Sequence, residues 1–358
     1  MTKAVAFGVA LVAISACTKK SSDAPPVPKA ETAVVEKPTP EAPKALAGDG
    51  LAKWYEGCWD SFVAQKWDTF GGCYADDTTS TPLGMPALAG KPTVIGDHKA
   101  WNAAFPDATY EPQFTLVSGH DIFAVRWFRG THTGPFKTPD GDLAATNKKV
   151  SMLMLHHVEI NDANQAAHEW WAYDVPTLMF QLGKSPGPAR APLDKGWPGA
   201  PILVVAKDDD TEHENAAMVK HVYDLWNKRQ MKPFYATVAD DGVESTNSDP
   251  EDVIGKKALE EKNNKEFLAV FSDNHVDVET TWAAGDYTIS FERVRGTNDG
   301  DMGPIKKTGK KIDWPMFEIL KWQGGQSKNS WGFANGMELA VQLGLAPGPG
   351  DAKSNSKK

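Results

Sequence analysis

The sequence predicts an α+β protein built from two tandem copies of one domain, each a curved, mostly antiparallel sheet packed with helices. Three observations predict this. Short segments recur in one order at a spacing of about 160 to 166 residues. Each copy places helical periodicity before a run of alternating strands. Roughly 300 residues remain for folding once the low-complexity ends are set aside, which suits two domains.

Taken from the N-terminus, Met1 to Cys17 opens with a single cation, Lys3, followed by an apolar or small stretch from Ala4 to Ala16. That is the length of a signal-peptide hydrophobic region and too short to span a bilayer, which takes about 20 residues. It ends Ile14-Ser15-Ala16-Cys17, similar to the lipobox of bacterial lipoproteins, so residues 1–16 read as a signal peptide and Cys17 as the lipidated first residue. An ordinary secretory signal with a chance cysteine is the alternative. Residues 17–50 are rich in proline and lack aromatic side chains until the first helix, as expected of an unfolded tether. Lipidation at Cys17 would place the chain in the bacterial cell envelope. Thr18 after the cysteine favours the outer membrane.

The first domain is expected over 51–192. Leu51, Trp54, Tyr55, Cys58 and Phe62 recur at helical spacing, and Met218, Val222 and Trp226 repeat that stripe in the second copy. A middle helix leads to Phe105 or Phe271. Alternating strands follow, such as Phe123-Val125-Trp127 against Ile289-Phe291. The matched segments include Ala75-Asp76-Asp77 with Ala239-Asp240-Asp241, Arg129-Gly130-Thr131 with Arg295-Gly296-Thr297, and Gln181-Leu182-Gly183 with Gln342-Leu343-Gly344. The join is rich in proline and glycine and is expected as a linker over 193–204. The second domain is expected over 205–349, and 350–358 as a loose polar tail.

The 358-residue chain carries 38 basic and 47 acidic side chains, a net charge of −9. Such an acidic chain without a basic tract argues against nucleic acid as a partner. Beyond Cys17, only Cys58 and Cys73 remain. Both are absent from the matching positions of the second copy (Val222 and Thr237), the pattern a bonded pair would leave, although Cys58 also fits a simple core position. Cysteine and histidine share no metal-ligand spacing, so no metal site is expected.

Trp101 to Ala108 (WNAAFPDA), Gly130 to Phe136 (GTHTGPF) and Trp170 to Gly183 (WWAYDVPTLMFQLG) together resemble the SnoaL-like polyketide cyclases, within the nuclear-transport-factor-2-like superfamily. The resemblance covers most of 51–188 and, more weakly, 205–349. It implies cone-shaped barrels around a pocket, and aldol-type cyclase chemistry needing no metal or cofactor. The family's acid/base aspartate falls on Asp174. A regular strand would put His168, Trp170 and Asp174 on one face, with Trp101 and His132 as further lining residues. A carboxylate in an apolar pocket suits proton transfer because burial raises its pKa. Each has a plainer reading as well: Asp174 as a turn or helix cap, His132 as a loop brace, the tryptophans as core. His168-Glu169-Trp170 inverts the family's Glu-His-Trp order. In the second copy Asn335, Asn329 and Asn298 stand at the positions of Asp174, His168 and His132, and an amide is no general base, so that copy is not expected to be catalytic by this route. It is left to bind, to pack against the first copy or to support it. His156 and His157 face opposite sides of one strand, and their counterparts are Glu318 and Ile319, which argues against a shared catalytic role.

Three functional readings follow. The first is a membrane-anchored lipoprotein binding a small, largely apolar molecule in the first domain. The second is a cofactor-independent cyclase or isomerase using Asp174 on a carbonyl-containing substrate. The third is a non-catalytic envelope scaffold. Export separates the chain from cytoplasmic thioester-bound intermediates and places binding ahead of catalysis.

Overall fold

In the computed structural model, residues 45–138, 141–185, 189–197 and 199–348 are described. The expected signal peptide, Cys17, nearly all of the tether and the 350–358 tail lie outside these residues. The first domain runs α1 (Asp49–Val63), α2 (Trp67–Gly72), β1 (Tyr74–Pro82), β2 (Leu88–Ala89), α3 (Lys91–Ala104), β3 (Thr109–Ser118), β4 (Asp121–Thr131), β5 (Phe136–Thr138), β6 (Gly141–Leu143), β7 (Lys149–Ile160), β8 (Ala166–Ala172) and α4 (Val175–Gln181). After the join come β9 (Ile202–Val205) and the second domain. Its elements are α5 (Asp210–Asn227), α6 (Met231–Ala236), β10 (Val238–Thr246), β11 (Val253–Ile254), α7 (Lys256–Lys262), a π-helical turn (Asn263–Leu268), β12 (His275–Ala284), β13 (Tyr287–Thr297), β14 (Lys311–Gln323), β15 (Gln326–Ala334) and α8 (Gly336–Leu343).

The strand orders repeat, β2-β1-β8-β7-β4-β3-β9 in one sheet and β11-β10-β15-β14-β13-β12 in the other. The fold is therefore α+β with two sheet-dominated domains. Both sheets stay open at their edges and do not close into barrels. Irregular register near Pro112 in β3 and Val278 in β12 marks bulges, which bend a strand. Residues 193–204, expected only to link, supply β9, which pairs parallel with β3 from Phe114↔Ile202 to Val117↔Val205. Asp49 and Gly50, expected in the tether, form the first turn of α1.

Strand β4 shows how the domains stack. Every residue from Ile122 to Phe128 is buried, because alternate side chains enter different cores. Ile122 and Ala124 meet Leu51, Tyr55, Trp59 and Phe62 of α1 on the concave side. Phe123 and Val125 turn the other way and join Phe114, Leu155, Ile289, Phe317 and Ile319 in a cluster shared by both sheets. The molecule is thus layered helix, sheet, sheet, helix, with the convex faces packed on each other. Asp121 also ties this seam, accepting from Trp282 Nε1 at 3.1 Å while lying 2.6 Å from His157 Nε2.

Two repeated motifs have local causes. Asp107 accepts from the backbone and hydroxyl of Thr131, at 2.6 and 2.7 Å, and Asp273 does the same with Thr297 at 2.6 and 2.8 Å. Gly134 and Gly300 sit so close to the ends of their domains' middle helices that a Cβ would strike the carbonyls of Ala103 and Ala269. That close approach demands glycine at both positions. Cys58 on α1 and Cys73 after α2 are joined in a disulfide, with Cα atoms 6.2 Å apart.

Candidate functional site

The first domain, expected to hold the pocket, is filled. Its interior leaves adjoining spaces of about 20 and 40 Å³, lined by Trp59, Phe62, His98 and Trp171. Each has room for little more than a water or two. At its centre Glu169, fully buried, accepts from Tyr74 Oη at 2.9 Å and lies 3.1 Å from His98 Nε2 and 3.0 Å from His156 Nε2. Burial alone would raise the Glu169 carboxyl, but His98 and His156 hold it well below the usual range. Burial likewise opposes charge on His98, yet Glu169 keeps this imidazole above its ordinary value. Burial drives His156 down to about 4. Its Nδ1 lies 2.8 Å from Tyr55 Oη, and its ring stacks on Trp171 at 3.9 Å. This is a satisfied polar core around one ion pair.

The residues named from sequence are dispersed. Strand β8 ends at Ala172, so Asp174 is off the strand. It is buried as the N-cap of α4, accepting from Thr177 N at 2.8 Å and, across the domain seam, from Gly336 N at 2.8 Å. Burial raises its carboxyl, yet its oxygens are committed to helix ends, and the residue lines neither of the two small spaces. Asn335 caps α8 in the matching place, accepting from Met337 N at 3.0 Å and Val175 N at 3.4 Å. His168 and Trp170 lie on the convex face, His168 hydrogen-bonded to Thr79 and Trp170 stacked on His157 at 4.5 Å. Glu169 and Trp171 turn inward instead, so the inverted order His168-Glu169-Trp170 puts the carboxylate inside. His132 is buried and braces its loop, accepting from Thr146 N at 3.1 Å, as Asn298 does with Thr308 N at 2.7 Å. Trp101 packs among Phe105, Phe128, Phe136 and Tyr173 at 5.4 Å from each ring and borders the 40 Å³ space.

The roomy interior belongs to the second domain, the copy not expected to act. A cavity of about 190 Å³ opens between its concave sheet, α5 and the π-helical turn. Tyr223 and Trp226 of α5, Phe267 of the turn, and Val294, Trp314 and Met316 of the sheet form apolar walls. Alternation along β13 and β14 sends Glu292 and Glu318 inward while Phe291, Phe317 and Ile319 face the seam. Glu318 accepts from Tyr223 Oη at 2.5 Å and from Ser330 Oγ at 2.7 Å. Glu292 accepts from Ser290 Oγ at 2.5 Å, while its Oε2 has no hydrogen-bond partner. Burial raises both carboxyls, and the neighbouring Glu318 pushes Glu292 further, well above the usual range. Tyr223 is held in its phenol form by burial and by both acids. At the rim Lys262 reaches Glu244 at 2.8 Å and also pairs with Asp249. Two neighbouring carboxyls of unequal environment titrate as a pair, one holding its proton more firmly than the other.

A curved sheet covered by helices around a small pocket is a fold of the cyclase and isomerase type. The SnoaL-like polyketide cyclase profile matches residues 50–182 and 216–343, and the chain belongs to that family, in two tandem copies. Among solved structures, AclR from Streptomyces galilaeus is 20% identical, with a TM-score of 0.36 over 40% of this chain and 90% of its own. A candidate SnoaL-like polyketide cyclase from Jannaschia sp. CCS1 is 19% identical (TM-score 0.36, 39% of this chain and 99% of that one). IdmH from Streptomyces antibioticus, a candidate polyketide cyclase, is 17% identical (TM-score 0.34, 37% and 99%). No curated protein matched the sequence.

Glu292 and Tyr223 carry no family motif, and Glu318 enters from the sequence only as the counterpart of His156. The signal was present. A glutamate at an inward position of an otherwise apolar strand, as in Ile289-Ser290-Phe291-Glu292 and Phe317-Glu318-Ile319, is costly to bury unless it has a task.

Proposed function

We propose that the second domain binds a small, largely apolar, carbonyl-bearing molecule and exchanges a proton with it in an isomerase- or cyclase-type reaction. The observation that carries this is the pair of inward carboxyls, buried Glu292 and half-buried Glu318, on the wall of the 190 Å³ cavity. An apolar cavity of roughly 150 Å³ holds benzene, so this one suits a compact one- or two-ring molecule. Glu318, whose anion Tyr223 and Ser330 stabilise, serves as the base toward a C–H beside the carbonyl. Tyr223 shares its proton with that site and supports charge as it develops on oxygen. Glu292 sits deeper and holds its own proton, which keeps the pair from carrying two charges at once. The filled first domain then supports the second through the shared seam.

Two measurements on the full chain test this. Naphthol, whose ring and hydroxyl resemble an enol, should quench fluorescence from Trp226 and Trp314 saturably. Deuterium exchange beside the carbonyl of cyclohexanone should run above the buffer rate, and Glu318→Gln should cut it by about 10²- to 10⁴-fold. Exchange at the buffer rate in the wild type would remove the acid/base role, and absence of naphthol binding would remove the cavity as a site.

Export and anchoring through Cys17 belong to the same reading. They are supported by the Ile14–Cys17 sequence and by the disulfide, which suits an oxidising compartment. Among the described residues no helix is long and apolar enough to cross a membrane. Cys17→Ala should move the protein from the membrane to the soluble fraction; continued retention with lipid labelling would refute the anchor.

A further inference from the structure

Resting on that reading of the cavity, we infer that its ligand carries a positive charge: a protonated amine on a compact apolar frame. Five carboxyl groups surround the cavity, Glu244, Asp249, Glu266, Glu292 and Glu318, against a single ammonium, Lys262. Lys262 brings no net positive field to the entrance, because Glu244 and Asp249 both pair with it. That triad is itself one charge negative, and Glu266 on the exposed side of the turn adds another. An anion entering here meets carboxylates at the rim and carboxyls in the depth.

The second observation is independent of the acidic count. Glu292 is only 1% exposed and lines the cavity, yet its Oε2 is left without a partner. A buried carboxyl oxygen without a donor costs free energy that a ligand N–H can recover. The walls add a third element. Tyr223, Trp226, Phe267 and Trp314 surround the same space, and aromatic faces attract a desolvated cation. Carboxylates at the rim with aromatic rings inside form a site that favours a cation over a neutral molecule of the same shape. In the first domain the central carboxylate is already matched by His98.

The test compares three probes of one shape class on the full chain: benzylammonium, ethylbenzene and benzoate, each followed by tryptophan fluorescence. The cation is expected to bind at least roughly tenfold more tightly than its neutral isostere, with benzoate weakest, and the preference should shrink as salt is raised. Glu266→Gln, at an exposed position outside the core, should lower the affinity for the cation by about two- to fivefold and leave ethylbenzene unchanged. If ethylbenzene binds as tightly as the ammonium, or benzoate more tightly, the charge inference is overturned while the cavity survives as a site. If none of the three binds to folded protein, the cavity reading fails and this inference falls with it.

Discussion

At the scale of single residues, Asp174 and Asn335 show why a position in a family pattern does not by itself confer a role. Both stand just past the last strand of their sheet, and each accepts a hydrogen bond from the first turn of its own helix and from the helix of the other domain. The requirement is an oxygen acceptor at a helix start, which aspartate and asparagine meet about equally. Asp174→Asn should therefore change stability by only a few tenths of a kcal/mol, whereas Asp174→Ala should cost about 1–2 kcal/mol. Naphthol affinity should be the same in both. Urea unfolding and fluorescence titration check the two statements, and a loss of binding in folded Asp174→Asn would restore the residue to the site. A regular strand carried through Tyr173 would put Asp174 on the wall, but β8 stops at Ala172. Pro176, which favours the first turn of a helix, marks the break.

Among elements, the helix stripe and the order of strands were legible because burial imposes periods of 3.6 and 2 on the sequence. Leu51, Tyr55, Cys58 and Phe62 are indeed the buried face of α1, and Val222 and Trp226 belong to that of α5. The depth of each interior was not legible. Volume depends on how α1 and α3, or α5 and the π-helical turn, settle on their sheet. In the first domain Trp59, Phe62 and Trp171 fill the space. In the second Tyr223 takes the place of Trp59 and Gly332 that of Trp171, so the cavity follows from smaller side chains at matched positions. The disulfide is also confined to the first copy, where it staples α1 to the end of α2. Closing a loop of 15 residues is worth about 3 kcal/mol. Replacing Cys58 and Cys73 together with serine should lower the stability of the first domain by up to that amount, read as a fall in the urea midpoint. A reductant should do the same to the wild type and nothing further to the variant. A midpoint that reductant leaves untouched would count against the staple.

For the whole molecule, the seam decides how the domains respond to acid. Phe123, Val125 and Leu155 pack on Ile289, Phe317 and Ile319, so separating the sheets would expose both apolar faces. Near neutral pH the two domains should unfold in one calorimetric transition. Their buried acids and bases then pull in opposite directions. Folded His156 sits at about 4 against an ordinary 6.5, so between those values the unfolded chain takes up a proton that the folded one refuses. The first domain loses stability as pH falls through that window. Glu169, held below its ordinary value, adds to the loss at still lower pH, while His98, held above its own, contributes stability that fades only as pH rises. In the second domain Glu292 and Glu318 are raised, so their burial penalty grows as pH rises through their folded values and is relieved on acidification. Acid therefore weakens the first domain and relieves the second. The single transition should broaden and then split as pH approaches about 4, with the first domain melting earlier. His156→Gln, which cannot take up that proton, should delay the split toward lower pH. Two transitions at neutral pH would show that the seam does not couple the domains, and an earlier melt of the second domain in acid would reverse the assignment of the buried groups.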